Sequence, residues 1–198
     1  YAAERGLSNF EISVFIGVIY LGGVLCQPPI GWVSDRIDRR LLIAILTLIG
    51  AAACLIVPVV GGSFTALVVA AFLLGGTSNP LYSLLVAYVN DYLEHEDMAS
   101  ASAGLIFLNG VGAMGAPLLV GYLMDTVGAN AWFFMIGASF AAITAYALYR
   151  MTKRASTPVE EMGPMVMMTP VASQVSVDAA WEAAIEHAEE DQSAKRTA

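Results

Sequence analysis

Four stretches of the chain carry no Asp, Glu, Lys or Arg: residues 12–34, 41–90, 98–124 and 126–149. An apolar helix of about 20 residues crosses the roughly 30 Å hydrocarbon core of a bilayer with every backbone group paired internally. The charge-free stretches therefore predict membrane-spanning helices. The run 41–90 is too long for one crossing, and Pro58, Gly61, Gly62 and Ser63 supply the turn that divides it. Ser8-Asn9-Phe10-Glu11 has the Ser-x-x-Glu spacing of a capping box and marks the first helix start. The predicted spans are residues 10–33, 41–60, 64–90, 99–123 and 131–149, with a polar loop over 91–97 and a turn over 125–130.

Composition agrees with a lipid-embedded chain. The sequence is 58% hydrophobic and 13% charged, with a mean hydropathy of +0.68, whereas a water-soluble surface calls for about 25% charged residues. The expected fold is an all-α membrane protein, a multi-span helical bundle over residues 1–153. The polar opening has no basic n-region or small-residue cleavage site, so the first span does not read as a secretory signal. Cys26 and Cys54 lie inside apolar runs and read as small buried hydrophobes.

The net charge of −8 comes mostly from residues 154–198, where Glu160, Glu161, Asp178, Glu182, Glu186, Glu189, Glu190 and Asp191 outnumber the bases. An acidic tail argues against nucleic acid as a partner and against docking of the tail on anionic lipid. Within it, residues 177–190 place Val177, Trp181, Ala184, Ile185 and Ala188 at helical spacing after Ser176. That segment either docks on the protein's own face or on a partner, or stays a marginal helix in a solvated tail; its shortness favours the second.

Basic residues near span ends are retained in the cytoplasm. Arg36, Arg39 and Arg40 follow the first span and Arg150, Lys153 and Arg154 follow the fifth, on the same side by parity, while Arg5 lies opposite. The chain is therefore expected to start outside and to end with a cytoplasmic tail, multi-pass in the plasma or inner membrane. Trp32, Tyr88, Tyr92, Tyr122 and Trp132 fall near span ends, as an interfacial aromatic belt does.

The loop after the first span reads Gly31-Trp32-Val33-Ser34-Asp35-Arg36-Ile37-Asp38-Arg39-Arg40. It resembles the loop signature of the major facilitator superfamily, Gly-x-x-x-Asp-(Arg/Lys)-x-Gly-(Arg/Lys)-(Arg/Lys). Gly31, Asp35, Arg36, Arg39 and Arg40 match, and Asp38 replaces the second glycine. Asp tolerates a left-handed backbone better than most residues, so a tight turn at Asp38 is expected to survive. Physically, a small residue permits close helix approach, Asp35 can meet a neighbouring helix N-terminus, and the arginines anchor one side of the membrane. Gly110, Gly112, Gly115, Pro117 and Gly121 in the fourth span are similar to a glycine- and proline-rich helix of that family. Residues 88–94, with Thr169-Pro170-Val171-Ala172 in the tail, are similar to its YcaD-type subfamily. The resemblance implies a partial fold: five spans of a half-bundle of about six, corresponding to the C-terminal half, because the third span lacks a membrane-embedded arginine and the sequence runs on into a tail. The missing N-terminal half would then be a partner of these helices.

In such folds the substrate cavity lies near the bilayer midplane beside interrupted helices. Residues 75–80 of the third span, Gly-Gly-Thr-Ser-Asn-Pro, read as such an interruption, since Pro80 cannot donate to the Gly76 carbonyl. Asn79, Tyr82, Ser83 and Asn90 recur on one face, and Tyr20 and Asn109 lie at similar depth. The expected substrate cavity is lined by Asn79, Tyr82, Ser83, Asn109 and Tyr20; bonding between neighbouring helices is the competing role for the same groups. No ionisable side chain lies at mid-membrane depth, so a proton relay would have to sit elsewhere. His95, flanked by Glu94 and Glu96, reads as a solvated loop histidine. No phosphate loop, metal-ligand spacing or nucleophile–base pair appears, so neither an enzyme nor a cofactor is expected. The function implied is secondary active transport of a small-molecule substrate by alternating access. The alternative is a receptor or scaffold that recruits a partner through its acidic tail.

Overall fold

The computed structural model of the chain describes residues 1–60, 63–93 and 95–153, of 95–99 the backbone alone. The tail helix expected over 177–190, with Gly61 and Gly62, lies outside the described residues. Among the described residues there are five α-helices and no strand: α1 (Asn9–Ser34), α2 (Arg39–Val60), α3 (Phe64–Asn90), α4 (His95–Val127) and α5 (Ala131–Lys153). Each is long and apolar enough to cross a membrane.

Local chemistry sets the helix ends. The Glu11 carboxylate accepts from the Ser8 amide at 2.8 Å while Ser8 Oγ accepts from the Glu11 amide at 3.3 Å, the reciprocal capping box expected at α1. Ser63 Oγ accepts from the Ala66 amide at 3.2 Å and caps α3. Pro58 does not form the turn assigned to it, because α2 continues through it to Val60. Gly128, at φ 104°, stops α4 by donating to the Met124 carbonyl at 2.9 Å. α4 begins at His95 and runs past Asp125, so His95 opens a helix and is not a loop residue. A charge run marks where the hydrocarbon ends, and the backbone ladder can continue beyond it into the interface.

Packing follows a row in which α1 contacts α3, α3 contacts α2 and α2 contacts α5, whereas α4 touches α3 and α5 lightly. α1 and α3 are parallel. A Cβ placed on Gly75 would overlap the Ile19 carbonyl, one on Gly22 the Phe72 carbonyl, and one on Gly76 would come within 2.7 Å of Cys26 Sγ. Only glycine permits this backbone approach, and in lipid such packing supplies the attraction that water would otherwise provide. α2 and α5 are antiparallel: Gly137 lies against Cys54, Gly50 against Phe140, and the Thr47 and Thr144 hydroxyls share a buried 2.7 Å hydrogen bond. These directions put Arg36, Arg39, Arg40, Arg150 and Lys153 at one end of the bundle, as parity requires.

Candidate functional site

Two regions hold the chemistry. The first is the basic end, where α1 hands the chain to α2. Arg39 is 1% exposed, and its guanidinium reaches three helices. Nε donates to Ser34 Oγ at 3.2 Å, Nη1 donates to the Ala87 carbonyl at 3.2 Å and to Asp91, and Nη2 lies 3.4 Å from Asp35. Asp91 is the C-cap residue of α3, so the cation meets both a carboxylate and the negative end of that helix. Asp35, at the C-cap of α1, pairs with Arg39, the first residue of α2.

Asp38 also differs from the expectation. No non-glycine residue among those described has a positive φ, so Asp38 does not replace glycine by adopting a left-handed backbone. It caps α2 instead. Its Oδ1 accepts from the Arg40 amide at 2.9 Å, and its carboxylate holds the Arg40 guanidinium at 2.9 Å. Arg36 turns back on α1, donating to the Trp32 carbonyl at 2.8 Å with its guanidinium 3.9 Å from the centre of the Trp32 ring. Gly31 is buried in the last turn of α1 and accepts from the Asp35 amide at 3.2 Å. The arrangement is a latch joining the ends of α1, α2 and α3. Ser34 and Asp91 are the members that sequence reasoning missed; Asp91 stood among acids read only as loop, since its partner lies far away in the chain.

The second region is the mid-depth face of α3. The helix is continuous from Phe64 to Asn90 and includes Pro80, so the expected interruption is absent. Neighbouring polar side chains bond back to their own turn: Thr77 Oγ1 to the Leu73 carbonyl at 2.8 Å, Ser78 Oγ to that of Leu74, and Asn79 Nδ2 to that of Gly75 at 3.1 Å. Asn79 also packs against Gly23, where a Cβ would overlap its amide. Ser83 is buried, Tyr82 is half-buried, and Tyr20 and Asn109 are exposed, Tyr20 by 66%. Asn90 Oδ1 is buried without a hydrogen-bond partner. The five residues assigned to the cavity thus differ in burial within this chain. Asn79 and Ser83 lie inward, and Tyr20 and Asn109 stand on outer faces. Cavities of about 270 and 230 Å³ occur elsewhere, one at Arg5 and Glu11 and one between α2 and α5 at Ala51 and Gly137.

A run of apolar helices with this loop pattern at a buried helix junction matches a known profile over almost its whole length. The sequence profile of the Major Facilitator Superfamily covers residues 1–187. The chain belongs to the Major Facilitator Superfamily. It is 28% identical over 162 residues to the uncharacterized MFS-type transporter YcaD of Escherichia coli, in strains K12 / DH10B, O157:H7 EC4115 and O9:H4 HS, an overlap of 80% of this chain. The chain spans 40% of the length of these relatives. Family and helices together make it a multi-pass membrane chain of that superfamily. The receptor or scaffold alternative gains no support from them.

Proposed function

We propose that these helices form the C-terminal half of a secondary active transporter that moves a small solute by alternating access. The observation that carries the reading is the Arg39 latch: a buried guanidinium that ties three helix ends on one side of a family-matched bundle. On this reading the latch holds α1, α2 and α3 together as one unit of the half that rocks. The missing N-terminal half would complete the cavity against the faces of α1, α3 and α4. Tyr20, Tyr82 and Asn109 would offer side chains to the substrate there, with Asn79 and Ser83 supporting them from the α1–α3 seam. By the positive-inside rule the basic end is cytoplasmic, in the inner or plasma membrane.

The test is Asp35→Asn in the complete transporter. A part-exposed ion pair such as Asp35–Arg39 contributes about 0.2–1 kcal/mol, enough to shift a rocking equilibrium up to severalfold. Transport rate falls while substrate affinity in detergent is retained. An affinity loss as large as the rate loss would place Asp35 in the binding site and sink the latch reading. For orientation, Asp125→Cys in a background lacking Cys26 and Cys54 reacts with an impermeant thiol reagent added to intact cells, and Thr152→Cys does not. The reverse pattern would invert the topology.

A further inference from the structure

Tyr146, Tyr149, Arg150 and Lys153 fall at i, i+3, i+4 and i+7 in the last two turns of α5, which aligns them in one stripe along the helix. Tyr146 and Tyr149 are 62% and 57% exposed. Lys153 Nζ lies 5.7 Å from the centre of the Tyr149 ring. Arg150 sits beside the Tyr88 hydroxyl of α3, and Tyr88 packs edge-to-face on Tyr92 at 5.3 Å. The salt bridges among the described residues engage Arg39, with Asp35 and Asp91, and Arg40, with Asp38. None reaches Arg150 or Lys153. Two cations therefore stand over a tyrosine surface at the end of an apolar span, with no carboxylate among the described residues paired to them.

We propose that this stripe binds the headgroup of an anionic phospholipid. The guanidinium and ammonium take the phosphodiester, and the two tyrosines cover the glycerol and the first methylenes of the acyl chains. Depth selects this ligand over a soluble anion. α5 is apolar from Ala131 to its basic end, so the stripe lies where hydrocarbon gives way to headgroups, the level that tyrosine favours. A free phosphate would satisfy the charges and leave Tyr146, a turn deeper, bare. α5 packs on α2 at the end of the row opposite α1, and Tyr146 and Tyr149 of the stripe are uncovered within this chain. The acidic tail that follows Lys153 is the competing occupant, since its carboxylates could neutralise the same pair.

The test titrates the full-length protein in neutral detergent with phosphatidylglycerol and, separately, phosphatidylcholine, counting bound lipid by native mass spectrometry. Phosphatidylglycerol binds more tightly. A basic residue near a membrane surface is worth about fivefold in affinity for anionic lipid. Arg150→Gln and Lys153→Gln each weaken its binding by that factor, leave phosphatidylcholine unchanged, and are partly reversed by Arg150→Lys. Arg36→Gln, at the same end of the bundle, leaves both lipids unchanged. Four results would overturn the proposal: no effect of the stripe variants; an equal effect of Arg36→Gln, which means diffuse attraction; displacement of phosphatidylglycerol by millimolar inorganic phosphate, which means a soluble-anion site; or a lipid preference that appears only after truncation beyond Lys153, which makes the tail the occupant.

Discussion

The α1–α3 seam and helix α4 are both rich in glycine, and they differ completely in what the glycines meet. Gly22, Gly23, Gly75 and Gly76 lie where a methyl group would strike a neighbouring backbone, the Asn79 amide or the Cys26 sulfur, whereas Gly104, Gly110, Gly112, Gly115 and Gly121 have nothing within 4 Å. The most apolar stretch of α4 is unburied within this chain. Small residues at packing spacing thus report that a helix can be approached closely. They do not report by what. In the seam the approaching element is encoded in the same chain; for α4, on the function proposed above, it would be the N-terminal half, against which the glycine face would close.

The largest effect expected from breaking the packed side is at its polar end. Arg39→Met removes the cation from a junction where Asp91 is 3% exposed, and removing one partner of a buried pair typically costs about 3–5 kcal/mol. Unfolding in detergent micelles should show a loss of that order. A loss below about 1 kcal/mol would mean that the latch is solvated like a surface pair.

Gly75→Ala tests the seam at mid-depth. The added methyl must displace the Ile19 carbonyl, and overpacking of this kind costs about 1–3 kcal/mol. Gly112→Ala, with open space around it, should leave the stability of these helices within about 0.5 kcal/mol. Equal effects at the two positions would erase the distinction between seam and α4. On the far side of the row, Thr47→Val takes away the hydroxyl shared with Thr144 and should cost about 0.5–1.5 kcal/mol by the same measurement. Thr144→Val should cost a similar amount, and the double variant less than the sum.

The contrast also shows what the sequence could reveal. Five spans were legible because charge is excluded from hydrocarbon, and the capping box at Ser8 and Glu11 was legible because its partners are three residues apart. Helix ends next to charges were misplaced, since polar residues at His95 and Asp125 continue a helix that has left the lipid. Pro80 suggested a broken helix, but α3 runs through it, as α2 runs through Pro58, and the close α1–α3 glycine packing beside it carries no signal in the periodicity. Gly31, Asp35, Arg36, Arg39 and Arg40 were found by their spacing. Their bonds were not, because Asp91 and Ala87 reach Arg39 from the far end of another span. The same limit applies to the proposed cavity, whose residues were chosen by depth and polarity, with no local signal to separate Tyr20 and Asn109 from the inward Asn79 and Ser83.

The most direct measurement of the account's central claim, that the open face of α4 belongs to a transport pathway, compares two cysteines placed on opposite sides of that helix. Asn109 and Leu118 are both exposed within this chain and stand about 180° apart at ~3.6 residues per turn. In the cysteine-free complete transporter, Asn109→Cys should react with a small charged thiol reagent that enters from water, and Leu118→Cys, among the glycines that would close against the proposed N-terminal half, should not. Labelling of Leu118→Cys alone, or of neither, would contradict an aqueous pathway along this face.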